Sequence, residues 1–480
     1  MEKRFISRWV IGSFLAMVCF LVAALVLKGV GLLPPGSGSS TQTGSDVLVT
    51  SASAISNTGE VTLFNRSIGR QIWQKQTPVN DVTPVSANGL VFVVAENPWG
   101  SSPDRTDTLE ALSLASGQQI WSWSWHMHMT TENPPIISNG VIYLSESTLP
   151  NNVSSSPAPN SEYQGFVIAL QASDGQQLWK DSLAGELSPP TIAADGTVYV
   201  SNGTVVLALS SNDGHQRWQY APHPTDSLSY YAQPLPQRES YVIVAQGQQV
   251  YLILRYVDGG HWSADLVALN NQNGQEEWRY QTHTEMSTDP FLLFKGVIYL
   301  TYDMFPGDSF LVALNAANGS VFWTYRQAGQ YSQSQPLIVD DVLYMSENAT
   351  QSKETSDVVA LHISDGSVVH RYGFPNGTGV GAPVVSQNTL YLGVNAATSS
   401  GKSTITVATF DLETGREIWS SKLSQQFAGL TVIVSQGQVY AYSPWDYTPD
   451  TLVVFQAGNG QQEWAYPTTG WIYHVVTDVG

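Results

Sequence analysis

VIALQASDGQQLW, from Val167 to Trp179, carries the plan of the chain. A short apolar run leads into a polar turn at Asp174-Gly175, and a second run brings a Trp four residues after the Gly. An apolar run, an Asp-Gly turn and an aromatic-bearing run read as strand, tight turn, strand. The same Gly-to-Trp spacing recurs as Gly69/Trp73, Gly117/Trp121, Gly175/Trp179, Gly214/Trp218, Gly274/Trp278, Gly319/Trp323, Gly366/His370, Gly415/Trp419 and Gly460/Trp464. Only the seventh unit departs, with His370 in the Trp place.

Between consecutive units lies a second strand pair, as in PPIISNGVIYLS (134–145), DPFLLFKGVIYLT (289–301) and QPLIVDDVLYMS (335–346). One repeat is therefore four antiparallel strands, A to D, over roughly 40 to 60 residues, the size of a propeller blade. The tail from His474 reads as a strand A cut at its turn, and Asp46–Ser53 reads as the strand B that should come after it. Joining the two ends in one blade leaves no free edge. The expected fold is an all-β propeller of eight or nine four-stranded blades, the repeat count being nine and one degenerate unit allowing eight.

Composition agrees: 15 Trp, 22 Tyr and 40 Gly with few charged residues describe short aromatic strands and tight turns. The segments before the repeats have other roles. Residues 1–8 are a basic N-terminus, with Lys3, Arg4 and Arg8, read as cytoplasmic. Residues 9–27 are an uncharged apolar run read as a transmembrane signal anchor, about long enough at a helical rise to cross a bilayer core. The positive flank places the chain beyond Lys28 outside the cytoplasm. A cleaved signal peptide is the competing reading, but its apolar region is usually shorter. Residues 28–45 are a Gly/Ser/Pro tether, and 46–480 the propeller. The single Cys, Cys19, sits in the apolar run, so the exported part can form no disulfide. The formal charge of −19 becomes −22 once Glu2, Lys3, Arg4, Arg8 and Lys28 are set aside, which argues against nucleic acid as a partner.

Ala169–Trp179 and Asp411–Trp419 resemble the tryptophan-docking motif of pyrroloquinoline-quinone-type propellers, and the resemblance runs along nearly all of the exported chain. It implies that the nine Gly and Trp/His positions are structural, each indole packing one blade on the next. Two branches of that family differ in function. The quinone dehydrogenases are longer and often carry a vicinal Cys pair above a calcium-bound quinone. This chain has no such Cys pair, and no Glu/Asn/Asp cluster matches the calcium site. The other branch is similar to the propeller lipoprotein of outer-membrane barrel assembly, which binds partners without chemistry. The chain is nearer the second in size and cysteine content. No cofactor is expected, pyrroloquinoline quinone with Ca²⁺ being the alternative that goes with a dehydrogenase-like enzyme.

A-to-B and C-to-D turns are tight, whereas B-to-C and D-to-A connections are long and leave the blade at the same end. Long insertions on one side of a rigid scaffold are where binding resides. These connections carry Trp99, Trp123, Trp125, Tyr230, Tyr231, Trp262, Trp445, Tyr447 and Trp471, together with His126, His128, His223, His283 and His474. Aromatics with polar tips suit a protein interface or a glycan platform. The histidines also raise the reading of a metal site on the same face, but spacing signatures such as His-Glu-x-x-His are absent. No nucleophile elbow, phosphate loop or dinucleotide fingerprint occurs, so no catalytic residue is assigned. The expected role is a membrane-anchored extracytoplasmic scaffold for envelope proteins or glycans.

Overall fold

The computed structural model describes residues 46–479 apart from 54–57, 78–81, 96–104, 128–134, 149–163, 186, 203–204, 222–242, 259–260, 283–290, 304–307, 328–330, 350–354, 376–377, 398–402, 424–429, 444–449, 469 and 478. The basic N-terminus, apolar run and tether therefore lie outside the described residues, and among those described no helix is long and apolar enough to cross a membrane. The described strands form nine antiparallel sheets, each with the sequential order A-B-C-D expected of a blade. Of the two counts left open by the sequence, nine is the one observed. In two of the sheets strand A is broken in two, Tyr331–Gln333 with Leu337–Val339 and Thr378–Val380 with Val384–Ser386.

The chain divides into two compact units. The first holds four blades: blade 1 (Val82–Ala87, Leu90–Ala95, Arg105–Ser113, Gln119–Met127), blade 2 from Ile136 to Ala184, blade 3 from Thr191 to Tyr220 and blade 4 from Ile243 to Gln281. The second holds blade 5 from Leu292 to Gln327 apart from Ala317–Gly319, which group with the first, blade 6 from Tyr331 to Phe374, blade 7 from Thr378 to Leu423, blade 8 from Thr431 to Pro467, and blade 9. Blade 9 takes its strand A, Trp471–Thr477, from the end of the chain and strands B to D, Asp46–Ser53, Thr58–Asn65 and Arg70–Thr77, from the beginning. Val49 stands opposite Val475 on one neighbour and Thr62 on the other, so both ends of the chain are sewn into one sheet.

The core lies between the faces of consecutive blades. Phe92 and Leu109 of blade 1 pack with Ile142, Leu144 and Ile168 of blade 2, and Tyr299 and Leu311 of blade 5 with Leu343 and Met345 of blade 6. Strands B and C sit inside their sheets and are covered on both faces, which is why they read as near-continuous apolar runs such as Val198-Tyr199-Val200. Burying each such side chain is worth about 1.5–3 kcal/mol.

The C-to-D hairpin is closed by bonds around its glycine. In blade 2 the Gly175 N–H bonds the Gln171 carbonyl at 2.9 Å, and Asp174 accepts the N–H of Gln176 at 3.0 Å. Gly175 has φ +74°, a left-handed conformation that favours glycine. Beyond the turn, Ala169 stands opposite Trp179 but Leu170 opposite Gln177, so Leu178 is the extra residue of a β-bulge. All nine C–D pairs shift register at this place.

At eight of the nine positions the aromatic after the bulge lies against the hairpin glycine of a neighbouring repeat. A Cβ on Gly175 would come within 2.6 Å of Trp121 Cε3, one on Gly214 within 2.7 Å of Trp179 Cε3, and one on Gly319 within 2.5 Å of Trp278 Cε3. The indole N–H donates to the carbonyl three residues before that glycine: Trp121 to Ala172 (3.1 Å), Trp179 to Ser211 (2.8 Å), Trp218 to Asn271 (2.8 Å), Trp323 to Ile363 (2.9 Å), Trp419 to Ala457 (2.9 Å) and Trp464 to Arg66 (3.0 Å). His370 takes the same seat against Gly415. Leaving a buried indole N–H unpaired costs about 1–3 kcal/mol, so the carbonyl fixes the ring's direction as well as its depth.

The nine positions are not equally deep, a difference that their identical spacing does not reveal. Trp73, which follows its own bulge and stands opposite Leu63, is buried, as are Trp179, Trp218 and Trp323. Trp278 is half-buried, as are Trp121, Trp419 and Trp464, and its ring centroid lies 6.0 Å from that of Tyr251.

Candidate functional site

Of the aromatic and histidine positions assigned to the long connections, Trp99, His128, His223, Tyr230, Tyr231, His283, Trp445 and Tyr447 lie outside the described residues. The described strands show what those connections are built on, unit by unit.

In the first unit, Trp123 and Trp125 belong to strand D of blade 1, which runs on to Met127 and includes His126. Alternation puts Trp121, Trp123 and Trp125 on one face. Trp125 is 9% exposed and packs in the core with Ile142 and Leu144 of blade 2, and its ring centroid is 5.1 Å from that of Trp123. Trp125 is thus a core residue, not part of a free loop. The blade 4 connection also differs from the long loop expected. Strands Gln249–Asp258 and His261–Asn270 pair along their length up to Asp258 opposite His261, which leaves only residues 259 and 260 to join them. Trp262 stands one residue from this end, opposite Val257.

In the second unit, Asp450 organises the end of blade 8. It is 1% exposed, and its carboxylate accepts the N–H groups of Ser443 (3.0 Å) and Thr451 (2.6 Å), closing both ends of the connection that carries Trp445 and Tyr447. Its backbone carbonyl accepts the N–H of Thr468 at 2.8 Å, and its own N–H donates to the Gly470 carbonyl at 3.0 Å. One residue so fixes the B-to-C connection and the corner that delivers Trp471. Sequence reading passed over Asp450, although an acid directly before a strand, followed by Thr, is a signal for capping of backbone N–H groups.

Trp471 and His474 lie in strand A of blade 9, with the Trp471 and Tyr473 ring centroids 5.9 Å apart. Burial pushes the His474 imidazole down to about 4, so it is neutral at neutral pH. Tyr442 of blade 8 is buried, and burial, with the charge of Asp450 behind it, pushes its hydroxyl up, so it stays protonated. Among the described residues no three His, Cys, Asp or Glu side chains come together as a metal site.

A second kind of polar cluster occurs between blades. Arg279 of blade 4 pairs with the fully buried Asp265 at 2.9 Å and with Glu276 at 2.9 Å, and donates to the Tyr220 hydroxyl of blade 3 at 3.2 Å. Tyr220 in turn donates to Glu276 at 2.6 Å. Tyr220 and Arg279 stand two and one residues after the Trp of their strands D, and Tyr325 and Arg371 hold the same two places in blades 5 and 6.

Nine blades of this kind define a β-propeller repeat protein. The model of the outer membrane protein assembly factor BamB family matches residues 29–152, 105–289 and 256–466, and the chain belongs to that family. It is 27% identical over 198 residues to the outer membrane protein assembly factor BamB of Burkholderia pseudomallei, a stretch covering 41% of each chain. It is 25% identical over 201 residues to the serine/threonine-protein kinase AfsK of Streptomyces griseus, covering 40% of this chain and 21% of the kinase. The matched stretches thus span less than half of these relatives. The crystal structure of a eukaryotic initiation factor is similar in fold, with a TM-score of 0.56 at 9% identity, covering 91% of this chain and 99% of that one.

Proposed function

We propose that the protein is a scaffold that binds envelope proteins outside the cytoplasm, tethered to the membrane by residues 9–27 and presenting the ends of its blades where the long connections emerge. The observation that carries this reading is the family membership, combined with an all-β repeat in which the glycine, Trp and bulge positions are occupied with packing. Residues that hold blades together supply a rigid frame, and the connections it carries supply the contact surface. We propose for the same reason that the Gly and Trp/His pairs, Trp73 and Trp278 among them, act as blade-to-blade docking elements with no part in binding. Such a scaffold needs no cofactor.

The test is capture of envelope proteins from solubilised membranes by the full chain and by a variant with Trp262, Trp445 and Tyr447 changed to Ala. Trp125 is excluded because its loss would open the seam between blades 1 and 2. A specific partner retained by the full chain and lost from the variant, with unchanged thermal stability, supports the proposal. Equal capture by both refutes the assignment of this face.

A further inference from the structure

Three equivalent cross-strand seats can be compared inside the chain. In blade 4 the register places Leu254 of strand B opposite Asp265 of strand C, with Arg279 of strand D reaching Asp265. In blade 2, Glu146 stands opposite Phe166, and Lys180 of strand D lies 3.8 Å over the Phe166 ring. Neither seat sets two acids face to face. Blade 6 does, because Glu347 stands directly opposite Asp357. Both carboxylates reach the same guanidinium nitrogen, Arg371 Nη1, at 3.0 Å and 3.1 Å. Like charges directly opposite on neighbouring strands repel, and one Arg cannot neutralise both.

The surroundings make this worse for Glu347. Its side chain has no exposure, and its Oε1 has no hydrogen-bond partner. Among the described residues, the groups around it come from four directions. From blade 5 come Tyr325, whose hydroxyl accepts from Arg371 Nη2, and Gln327, which accepts from the same nitrogen at 3.2 Å. From strands C and D of its own blade come Asp357 and Arg371. Strand A of that blade places Gln333 opposite it, with Tyr331 two places along, opposite Ala349. The strand of blade 7 packed against it, Thr378–Val380, carries no titratable group. Burial holds the Glu347 carboxyl above the usual carboxylate range, opposed by the charge and hydrogen bond of Arg371 and by the Tyr325 hydroxyl, and reinforced by Asp357.

We propose that Glu347 is a proton-operated latch on the seam between blades 5 and 6: ionised, it competes with Asp357 for Arg371, and protonated, it leaves Arg371 to Asp357 and the Tyr325 hydroxyl. The protonated carboxyl also gains an O–H donor and removes an uncompensated charge from a dry site. The sign comes from linkage. A carboxyl whose folded-state value lies above its unfolded value contributes stability that is full below the unfolded value near 4 and is lost as pH rises through the folded one. The seam therefore tightens on mild acidification, a condition that the proposed location outside the cytoplasm would impose directly.

The test compares the full chain with Glu347→Gln, which mimics the protonated carboxyl, and with Glu347→Leu, which copies the blade 4 seat. Thermal unfolding is followed from about pH 4.5 to 8.5, and hydrogen exchange is read on Val321–Gln327 and Val368–Phe374. The latch predicts that Gln raises Tm by about 2 °C or more at about pH 8, that the gain vanishes toward about pH 5, and that protection from exchange in both strands, with the intrinsic pH dependence of amide exchange divided out, rises on acidification only in the unsubstituted chain. A Gln variant less stable at alkaline pH, or a pH-independent gap, overturns it. Should a variant not fold, carboxyl NMR of Glu347 in the unsubstituted chain decides alone: titration at an ordinary carboxylate value sinks the proposal.

Discussion

The two ends of each blade obey different rules. At the C-to-D hairpin the same parts recur in all nine blades: a left-handed glycine, a bulge, and a Trp or His370 directly after it. At the opposite end the described parts of blades 1, 4 and 8 differ from one another. Blade 4 extends a paired hairpin to Asp258 and His261, blade 8 ties its connections to Asp450, and blade 1 lengthens strand D to bury Trp125. Repetition marks the end that packs, and its absence marks the end free to specialise. One observation pulls the other way, because every large apolar side chain exposed among the described residues lies at the hairpin end. Leu178 (45%), Phe322 (55%) and Ile418 (46%) are examples, each the residue before the repeated Trp. The bulge accounts for them physically, since its extra residue has no partner in the register and turns outward.

The largest effect should come from breaking the repeated end. Trp179→Ala removes the indole from Gly214 and its bond to the Ser211 carbonyl, and is expected to cost about 3–5 kcal/mol, read by denaturant unfolding. The half-buried Trp278 should cost less than Trp179 when changed to Ala, because less of its surface leaves water on folding. Trp262→Ala, on the face proposed for binding, should cost far less than Trp179→Ala. If the costs at 179 and 262 were similar, the division between packing and specialised ends would fail.

Asp450→Ala should fall between them. It strips partners from two backbone N–H groups, at about 1–3 kcal/mol, and should speed proteolysis within 444–449 well before the protein melts. Unchanged cleavage there would mean that the backbone bonds of Asp450 suffice.

The last effect is one of pH and is confined to the acid side. His474 has a folded value of about 4 against an ordinary 6.5, so the unfolded chain binds its proton more readily. Its contribution is full above about 6.5 and is lost as pH falls toward about 4, opposite in sign to that of Glu347. His474→Gln should flatten the acid limb of the stability curve while leaving the limb above about pH 7 alone.

Legibility in the sequence divides along the same line. The Gly-to-Trp spacing announces the blades, because a tight turn and an aromatic seat are local demands repeated at fixed distance. It cannot show the bulge, which depends on counting residues against a partner strand, nor that Trp278 is half-buried where Trp179 is buried. The run SWSWHM suggests a connection by its place after the repeat, whereas its alternation puts a third Trp on the core face. Glu347, Asp357 and Arg371 are 10 and 14 residues apart in sequence and meet only through the register, so neither strand alone announces the cluster.

Partners should meet the long-connection end and not the apolar hairpin end. Site-specific photocrosslinking in intact cells tests this directly, with a photoreactive residue at Trp262 or Trp445 on one side and at Leu178 or Phe322 on the other. The scaffold reading predicts discrete adducts with envelope proteins from 262 or 445 and none from 178 or 322. Adducts confined to 178 and 322 would contradict it and assign binding to the bulges.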